Sequence, residues 1–454
     1  MKAAIIMAAG KGTRMHSEMP KTMHKVLDKP IIEHLVDTLN QMGIDKVVSV
    51  VGYGKEAIMD YLGDKCEYAV QEPQLGTGHA VMQVNQLEKE KGYTLVINGD
   101  CPLVREETLK LLLEEAKDAS MVVLTSNEED PAQYGRIVRR VDGTVEKIVE
   151  FKDCDENEVF IREINTGIYA FNNEDLFAGL KKVKNDNKQK EYYITDLVEI
   201  FNLDGKKVKA VIVKDGEETA GINDRFELLR ATKTLQKRNN LKLMEQGVTL
   251  LDMDSTYIGS DVKIGIDTII YPNTYIYGKT TIGKDNLILS GCYIENSTIG
   301  DHNYIDNSRI TDSVIHNQVR LGPWAHLRNG CEIEDSNRIG NFVEMKNTKV
   351  GEDSRCAHLT YLGDTTVGKR VNFGCGVVTV NYDGKDKFET VIGDNSFVGS
   401  NVNLIAPVKI GDNVVLAAGS TIHEDVEDGA MAIARGRQTN KEGYGLKYLN
   451  KEKK

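Results

Sequence analysis

Cysteine is sparse and unpatterned in this 454-residue chain. Cys66, Cys101, Cys154, Cys292, Cys331, Cys356 and Cys375 are odd in number, scattered, and never form a C-x-x-C pair. That excludes a disulfide or zinc framework and reads as reduced thiols in a cytoplasmic protein. Long apolar runs are missing too. Nothing approaches the roughly 20 residues needed to cross a bilayer, so no membrane insertion is expected. The stretch from Ala3 to Ala9 is preceded only by Lys2 and followed at once by a Gly-rich loop, which argues against a signal peptide. Positive charge is in short supply: 57 Lys and Arg stand against 69 Asp and Glu, for a net charge of −12. Such a balance argues against non-specific binding to nucleic acid or anionic membrane. A phosphate-bearing substrate would need positive charge gathered locally, and Lys11, Arg14, Lys21 and Lys25 cluster near the N-terminus.

What the chain does have, in its C-terminal half, is an apolar residue at every sixth position. Ile258, Ile264, Ile270, Ile276, Ile282, Ile288 and Ile294 make one run. Leu321, Leu327, Ile333, Ile339 and Met345 make a second, and Ile392, Val398, Leu404, Ile410, Leu416 and Ile422 a third. Gly often follows, as in Ile264-Gly265 and Ile410-Gly411. A period of six fits neither a helix nor an alternating strand. It fits a parallel β-helix whose short strands each turn a corner after six residues and point one side chain inward. The repeat resembles that of the left-handed β-helix acyltransferases, an exception to right-handed crossover.

The first half differs. Apolar strands (Ala3–Met7, Val47–Val51, Leu95–Asn98) alternate with helical patterns (Ile31–Met42, His79–Glu90, Glu106–Lys117), which predicts a largely parallel sheet covered on both faces. Arg136–Arg140 and Val145–Glu150 read as a hairpin turning at Asp142-Gly143. From Asn223 to Gln246, apolar residues recur at helical spacing and Gly247 ends them. The expected organisation is a Rossmann-like α/β domain over 1–222, a linker helix over 223–247, and a β-helix over 248–454 that ends in a mobile Lys-rich tail.

Directly after the first strand comes Ala8-Ala9-Gly10-Lys11-Gly12-Thr13-Arg14-Met15, with Pro20-Lys21 beyond. Small residues let backbone N–H groups approach a polyphosphate, and Lys and Arg add charge. The string is neither a P-loop nor a dinucleotide fingerprint. Asn98-Gly99-Asp100 closes a predicted parallel strand, the edge where α/β sheets bind ligands. A carboxylate there suits Mg²⁺ against a triphosphate, although a solvated loop Asp has the same appearance. Gln71 and Gly76-Thr77-Gly78-His79 occupy another strand-to-helix loop. An amide there suits a base edge, and Thr77 alone reads equally as a helix cap.

G-x-G-T-R-M followed by P-K resembles the nucleotidyltransferases that couple sugar 1-phosphates to nucleoside triphosphates. Over its whole length the chain resembles the bifunctional enzymes that make UDP-N-acetylglucosamine, a uridylyltransferase fused to a glucosamine-1-phosphate N-acetyltransferase. The resemblance implies that Gly10, Lys21, Gln71, Gly76 and Thr77 bind UTP. It implies that Gly135, Glu150 and Asn165 hold N-acetylglucosamine 1-phosphate, that Asp100 and Asn223 carry Mg²⁺, and that Arg14 neutralises triphosphate charge during attack. The expected chemistry is in-line displacement at the α-phosphorus.

Polar residues interrupt the β-helix repeat at Leu327-Arg328, Glu344-Met345-Lys346, His358–Asp364 and Asn381–Gly384. Acetyl transfer to an amine needs a base, and His358 is the candidate. Arg and Lys suit a sugar phosphate. The same resemblance implies that Arg328, Lys346, Tyr361 and Asn372 contact glucosamine 1-phosphate and that His358 is the general base. It assigns acetyl-CoA to Cys375, Asn381, Tyr382, Ser400, Ala418 and Arg435, and implies a homotrimer with sites between subunits. Three details depart from the family pattern: Val377 stands where Thr is usual, Asn329 where Pro often follows the Arg, and Gly436-Arg437 after Arg435. The competing readings are a single-activity nucleotidyltransferase with a β-helix scaffold, and a non-catalytic subunit. His358, Lys346 and Tyr361 argue against the first, and intact Arg14, Lys21 and Asp100 against the second.

Overall fold

The computed structural model describes residues 1–449; the last five positions of the expected mobile tail lie outside the described residues. The chain separates into two compact units, Met1–Leu235 and Gln236 onward, and the division falls inside the helix Arg225–Glu245.

In the first unit a mixed sheet runs in the order Val208–Ile212, Met121–Asn127, Glu163–Asn172, Tyr93–Asn98, Lys2–Ala8, Lys46–Val51, Glu67–Val70. The last four are mutually parallel. Ala3, Ile5, Val48, Val50 and Val96 enter the core on one face, while Ala4, Ile6, Val47, Val51, Leu95 and Ile97 enter the core on the other. Burial on both faces is why these strands read as unbroken apolar runs. Two helices lie where the spacing predicts them, with slightly shorter ends, Ile31–Gln41 and Glu106–Glu115. The helix expected over His79–Glu90 is instead the six-residue Thr77–Met82, followed by a separate turn at Asn85–Leu87.

The strand Glu163–Asn172 departs from the parallel expectation. It runs antiparallel to both neighbours, Tyr93–Asn98 and Met121–Asn127. Strand direction is not encoded in an apolar pattern, so this could not be read from the residues. Gly167, at φ +74°, lies against Asn98 so closely that a Cβ would overlap the Asn98 amide. The hairpin forms as expected from Arg136–Arg139 and Val145–Val149, and it joins the sheet where Arg136 pairs with Ile164.

The second unit is a parallel β-helix of mostly two- and three-residue strands, most of which pair with the third one after them. Arg338–Val350 and Arg355–Val367 run for 13 residues each and pair with each other along their length. One inward column runs Ile258, Ile276, Ile294, Ile310, Leu327, Met345, Leu362. The sixfold runs stop at Ile294 and Met345 because some sides shorten to five residues. Ile294 to Ile299, Ile305 to Ile310 to Ile315, and Met345 to Val350 are such sides, yet every one of these residues stays in the core. The later break is an inserted loop between the strands Val378–Val380 and Thr390–Ile392. At the C-terminus, Tyr444–Leu449 forms a short helix with no buried residue.

Candidate active sites

The four parallel strands of the first unit deliver their C-terminal ends side by side, which places Gly10, Gln71 and Asp100 around one cavity of about 430 Å³. Lys21, Gly76, Thr77 and Glu150 line it as well, together with Asn98, Gln74, Gln189, Glu191 and Tyr193. Lys21 Nζ donates to Asp100 Oδ2, and the same ammonium lies 3.2 Å from Asn223 Oδ1. Two hard oxygens from distant parts of the chain thus converge on one positive centre. That donor set fits a hard divalent cation, whose remaining ligands come from phosphate and water. Among the described residues no cluster of three or more His, Cys, Asp or Glu side chains is placed to hold a metal unaided.

Asn165 reaches the same edge because its strand runs antiparallel. Its N–H donates to Gly135 O at 2.9 Å, and its Nδ2 donates to Tyr169 Oη at 2.7 Å. Glu150 accepts a hydrogen bond from the Thr195 hydroxyl at 3.3 Å. Burial raises the Glu150 carboxyl above its ordinary value, with the Thr195 bond opposing and the charges of Asp153 and Glu191 adding. Asp196, unsuspected from the sequence, is pushed up to about 6 by burial and then by the charges of Glu199, Glu150 and Asp153.

The four N-terminal cations do not converge. Lys21 alone of them lines the cavity. Lys11 lies over the Tyr53 ring at 5.4 Å, Lys25 is exposed on a two-residue strand, and Arg14 is exposed in the short turn Thr13–Met15. The Thr77 hydroxyl caps no helix; it accepts from Ile194 N at 3.1 Å.

On the β-helix, stacking of coils does what sequence distance conceals. Arg328, Lys346 and Gly363 each follow an inward residue, so they occupy one outward position in successive coils. Arg328 pairs with Glu344 at 3.0 Å. A Cβ on Gly363 would collide with Tyr361 Oη, and would lie 2.8 Å from Asn381 Nδ2, so ring and amide close over that glycine. Asp364 accepts from Asn347 Nδ2 at 2.8 Å and from Asn381 Nδ2. Lys387, from the inserted loop, was not singled out by the sequence pattern. A contact from Lys387 and its charge, then burial and Arg328, hold the Lys346 ammonium below its ordinary value, opposed by Asp364. Three cations, Arg328, Lys346 and Lys387, thus gather on one side of the coil, with Glu344 on Arg328 and Asp364 beside Lys346.

A second file forms at neighbouring corners. Asn401 N donates to Cys375 O and Gly419 N to Ser400 O, both at 2.8 Å, and Arg435 Nη1 donates to Ala418 O at 2.6 Å. Asn372 and Tyr382 are exposed. His358 pairs in register with Asn341; its imidazole is exposed, and among the described residues no hydrogen bond or ion pair orients it. Val377 is fully buried in the β-helix core, so the residue type there concerns packing rather than a coenzyme contact.

Residues 3–219 match the nucleotidyl transferase family, and residues 389–424 match the bacterial transferase hexapeptide family (six repeats). Relatives of similar length align end to end. The bifunctional protein GlmU of Exiguobacterium sp. (strain AT1b) is 52% identical over 97% of this chain and 98% of its own. That of Listeria monocytogenes serotype 4a is 49% identical over 98% of each, and that of Geobacillus sp. (strain WCH70) 50% identical over 97% of each.

Proposed function

The chain belongs to the family of bifunctional GlmU proteins, and on that premise we propose how its two units divide the chemistry. It is a transferase with two activities in one polypeptide. Acetyl passes from acetyl-CoA to glucosamine 1-phosphate, and uridylyl then passes from UTP to N-acetylglucosamine 1-phosphate with release of pyrophosphate.

The convergence of Asp100 and Asn223 on the Lys21 ammonium carries the reading of the first unit. There a sugar-phosphate oxygen forms a bond to the α-phosphorus of UTP as the bond to pyrophosphate breaks. Gly10 lets the backbone approach the phosphates, and Lys21 and Arg14 neutralise charge on them. Gln71, Gly76 and Thr77 hold the nucleotide, while Gly135, Glu150 and Asn165 hold the sugar. Asp100 and Asn223 would hold a divalent cation, Mg²⁺ in this reading, which screens phosphate charge when bound.

On the β-helix, Arg328 and Lys346 grip the phosphate of glucosamine 1-phosphate, with Tyr361 and Asn372 on the sugar. His358 Nε2 or Nδ1 takes a proton from the amine. The amine nitrogen bonds to the acetyl carbonyl carbon as the C–S bond breaks, and the departing thiolate takes the proton from the His358 imidazolium to leave as the thiol. Cys375, Asn381, Tyr382, Ser400, Ala418 and Arg435 hold acetyl-CoA. Homotrimerisation is supported by one corner of the β-helix beside His358. Trp324, Phe342 and Leu359 sit there at φ +57°, +56° and +32°, and they are 52%, 56% and 59% exposed. Bulky apolar residues rarely take that conformation or that exposure without a partner. Among the described residues no helix is long and apolar enough to cross a membrane; a cytoplasmic location fits the unpaired cysteines.

The test is thiol release from acetyl-CoA with glucosamine 1-phosphate, on the full chain and on His358→Ala. Release that needs both the sugar phosphate and His358 supports the reading. Pyrophosphate formation from UTP without any thiol release would leave the β-helix as a scaffold.

A further inference from the structure

We propose that His79 is a positioning residue that fixes the polarity of the Gln71 amide and thereby selects a base with a ring N–H. The inference rests on the uridylyltransferase reading and concerns how that site tells UTP from CTP.

Gln71 is 3% exposed and leaves the strand Glu67–Val70 with its N–H bonded to Val51 O. Its Nε2 lies 2.9 Å from Gly76 O and 3.1 Å from His79 Nδ1. A backbone carbonyl only accepts, so the group facing Gly76 is the amide NH₂. The second hydrogen of that NH₂ then falls to His79, which makes Nδ1 the bare nitrogen and Nε2 the protonated one.

On the far side, Gln83 Nε2 lies 3.2 Å from His79 Nε2 and 3.0 Å from His79 O. A neutral imidazole accepts at one nitrogen only. Gln83 is half-buried and keeps its bond to His79 O while giving up the ring, whereas Gln71 is buried and pinned by Gly76 O. The tautomer is therefore set by Gln71. Both Gln71 N–H groups are spent inward, and only Oε1 remains for the cavity that Gln71 lines, with no partner among the described residues.

Oε1 accepts and cannot donate. Uracil offers it the N3–H; cytosine presents a bare N3, lone pair against lone pair. Without an acceptor at position 79 the amide loses one of its two anchors and turns more readily to present its NH₂, so discrimination between the bases falls. His79 touches no base in this arrangement; it acts through Gln71.

The experiment is steady-state kinetics of the full chain with N-acetylglucosamine 1-phosphate and either UTP or CTP, for the parent, His79→Ala and His79→Asn. Asn is chosen because its Oδ1 takes the place of Nδ1. Losing one anchoring hydrogen bond predicts that His79→Ala raises KM for UTP about tenfold, with kcat changed less than about twofold. The UTP preference in kcat/KM falls about tenfold as well. His79→Asn regains most of both. An unchanged preference in His79→Ala overturns the proposal, and so does His79→Asn behaving like His79→Ala, which would leave His79 a packing role. A parent that releases no pyrophosphate from UTP overturns the uridylyltransferase reading itself, an outcome separate from either of these.

Discussion

The two units build their sites in opposite ways. In the first, Asp100 and Asn223, from distant stretches, both bond the Lys21 ammonium, and Lys21 and Asp100 line a cavity at the edge where parallel strands end. In the second, Arg328, Lys346, Tyr361 and His358 stand on the outside of coils; the imidazole is exposed and the cations repel. A sheet edge encloses a site within one chain. A β-helix has its interior filled by aliphatic columns and offers polar side chains only on its surface.

That comparison breaks if the two sites depend on each other. Asp100→Asn should lower pyrophosphate release from UTP about a thousandfold, the scale of losing a key electrostatic group. Thiol release should stay within about twofold. His358→Ala should do the reverse, cutting thiol release about a hundredfold or more with pyrophosphate release intact. Cross-effects of equal size in either variant would refute separate sites.

Smaller changes sharpen it by stability. Leu327, fully buried, belongs to the inward column. Leu327→Ala should destabilise the β-helix by about 3 kcal/mol, seen as an earlier denaturant transition for that unit, with the nucleotidyltransferase transition unmoved. Asp196→Asn probes the first unit alone. The folded carboxyl titrates at about 6 against an ordinary 3.8, so its stabilising contribution is full below pH 4 and lost as pH rises through 6. The shift corresponds to about 3 kcal/mol, reduced to about 1 kcal/mol by solvent screening of a half-exposed group. The variant should therefore be about 1 kcal/mol more stable than the parent at pH 8 and no more stable at pH 4, in urea melts at both pH values.

How much was legible depends on how local the signal is. The G-x-G-T-R-M string and Asn98-Gly99-Asp100 mark strand ends, because a Gly-rich turn after an apolar strand has few other uses. The four N-terminal cations were legible as a cluster, yet Lys21 alone of them lines the cavity; proximity along a loop does not set where side chains point. Lys387 lies in an inserted loop outside the repeat, and Asp196 in a single helical turn. Neither carries a pattern, and each becomes notable only through its neighbours in space.

The sequence by itself determined the two architectures. A period of six admits only a coil with one inward residue per side, and apolar runs broken by helical spacing admit only a covered sheet. It also determined the residue types that bear chemistry. The tertiary structure alone decided which of them meet. Strand direction brought Asn165 to the Asp100 edge, coil stacking set Lys346 beside Arg328, and the turn after Gln71 placed His79 against its amide. Patterning is a local consequence of burial, whereas convergence depends on how distant segments are registered, and no single segment records that.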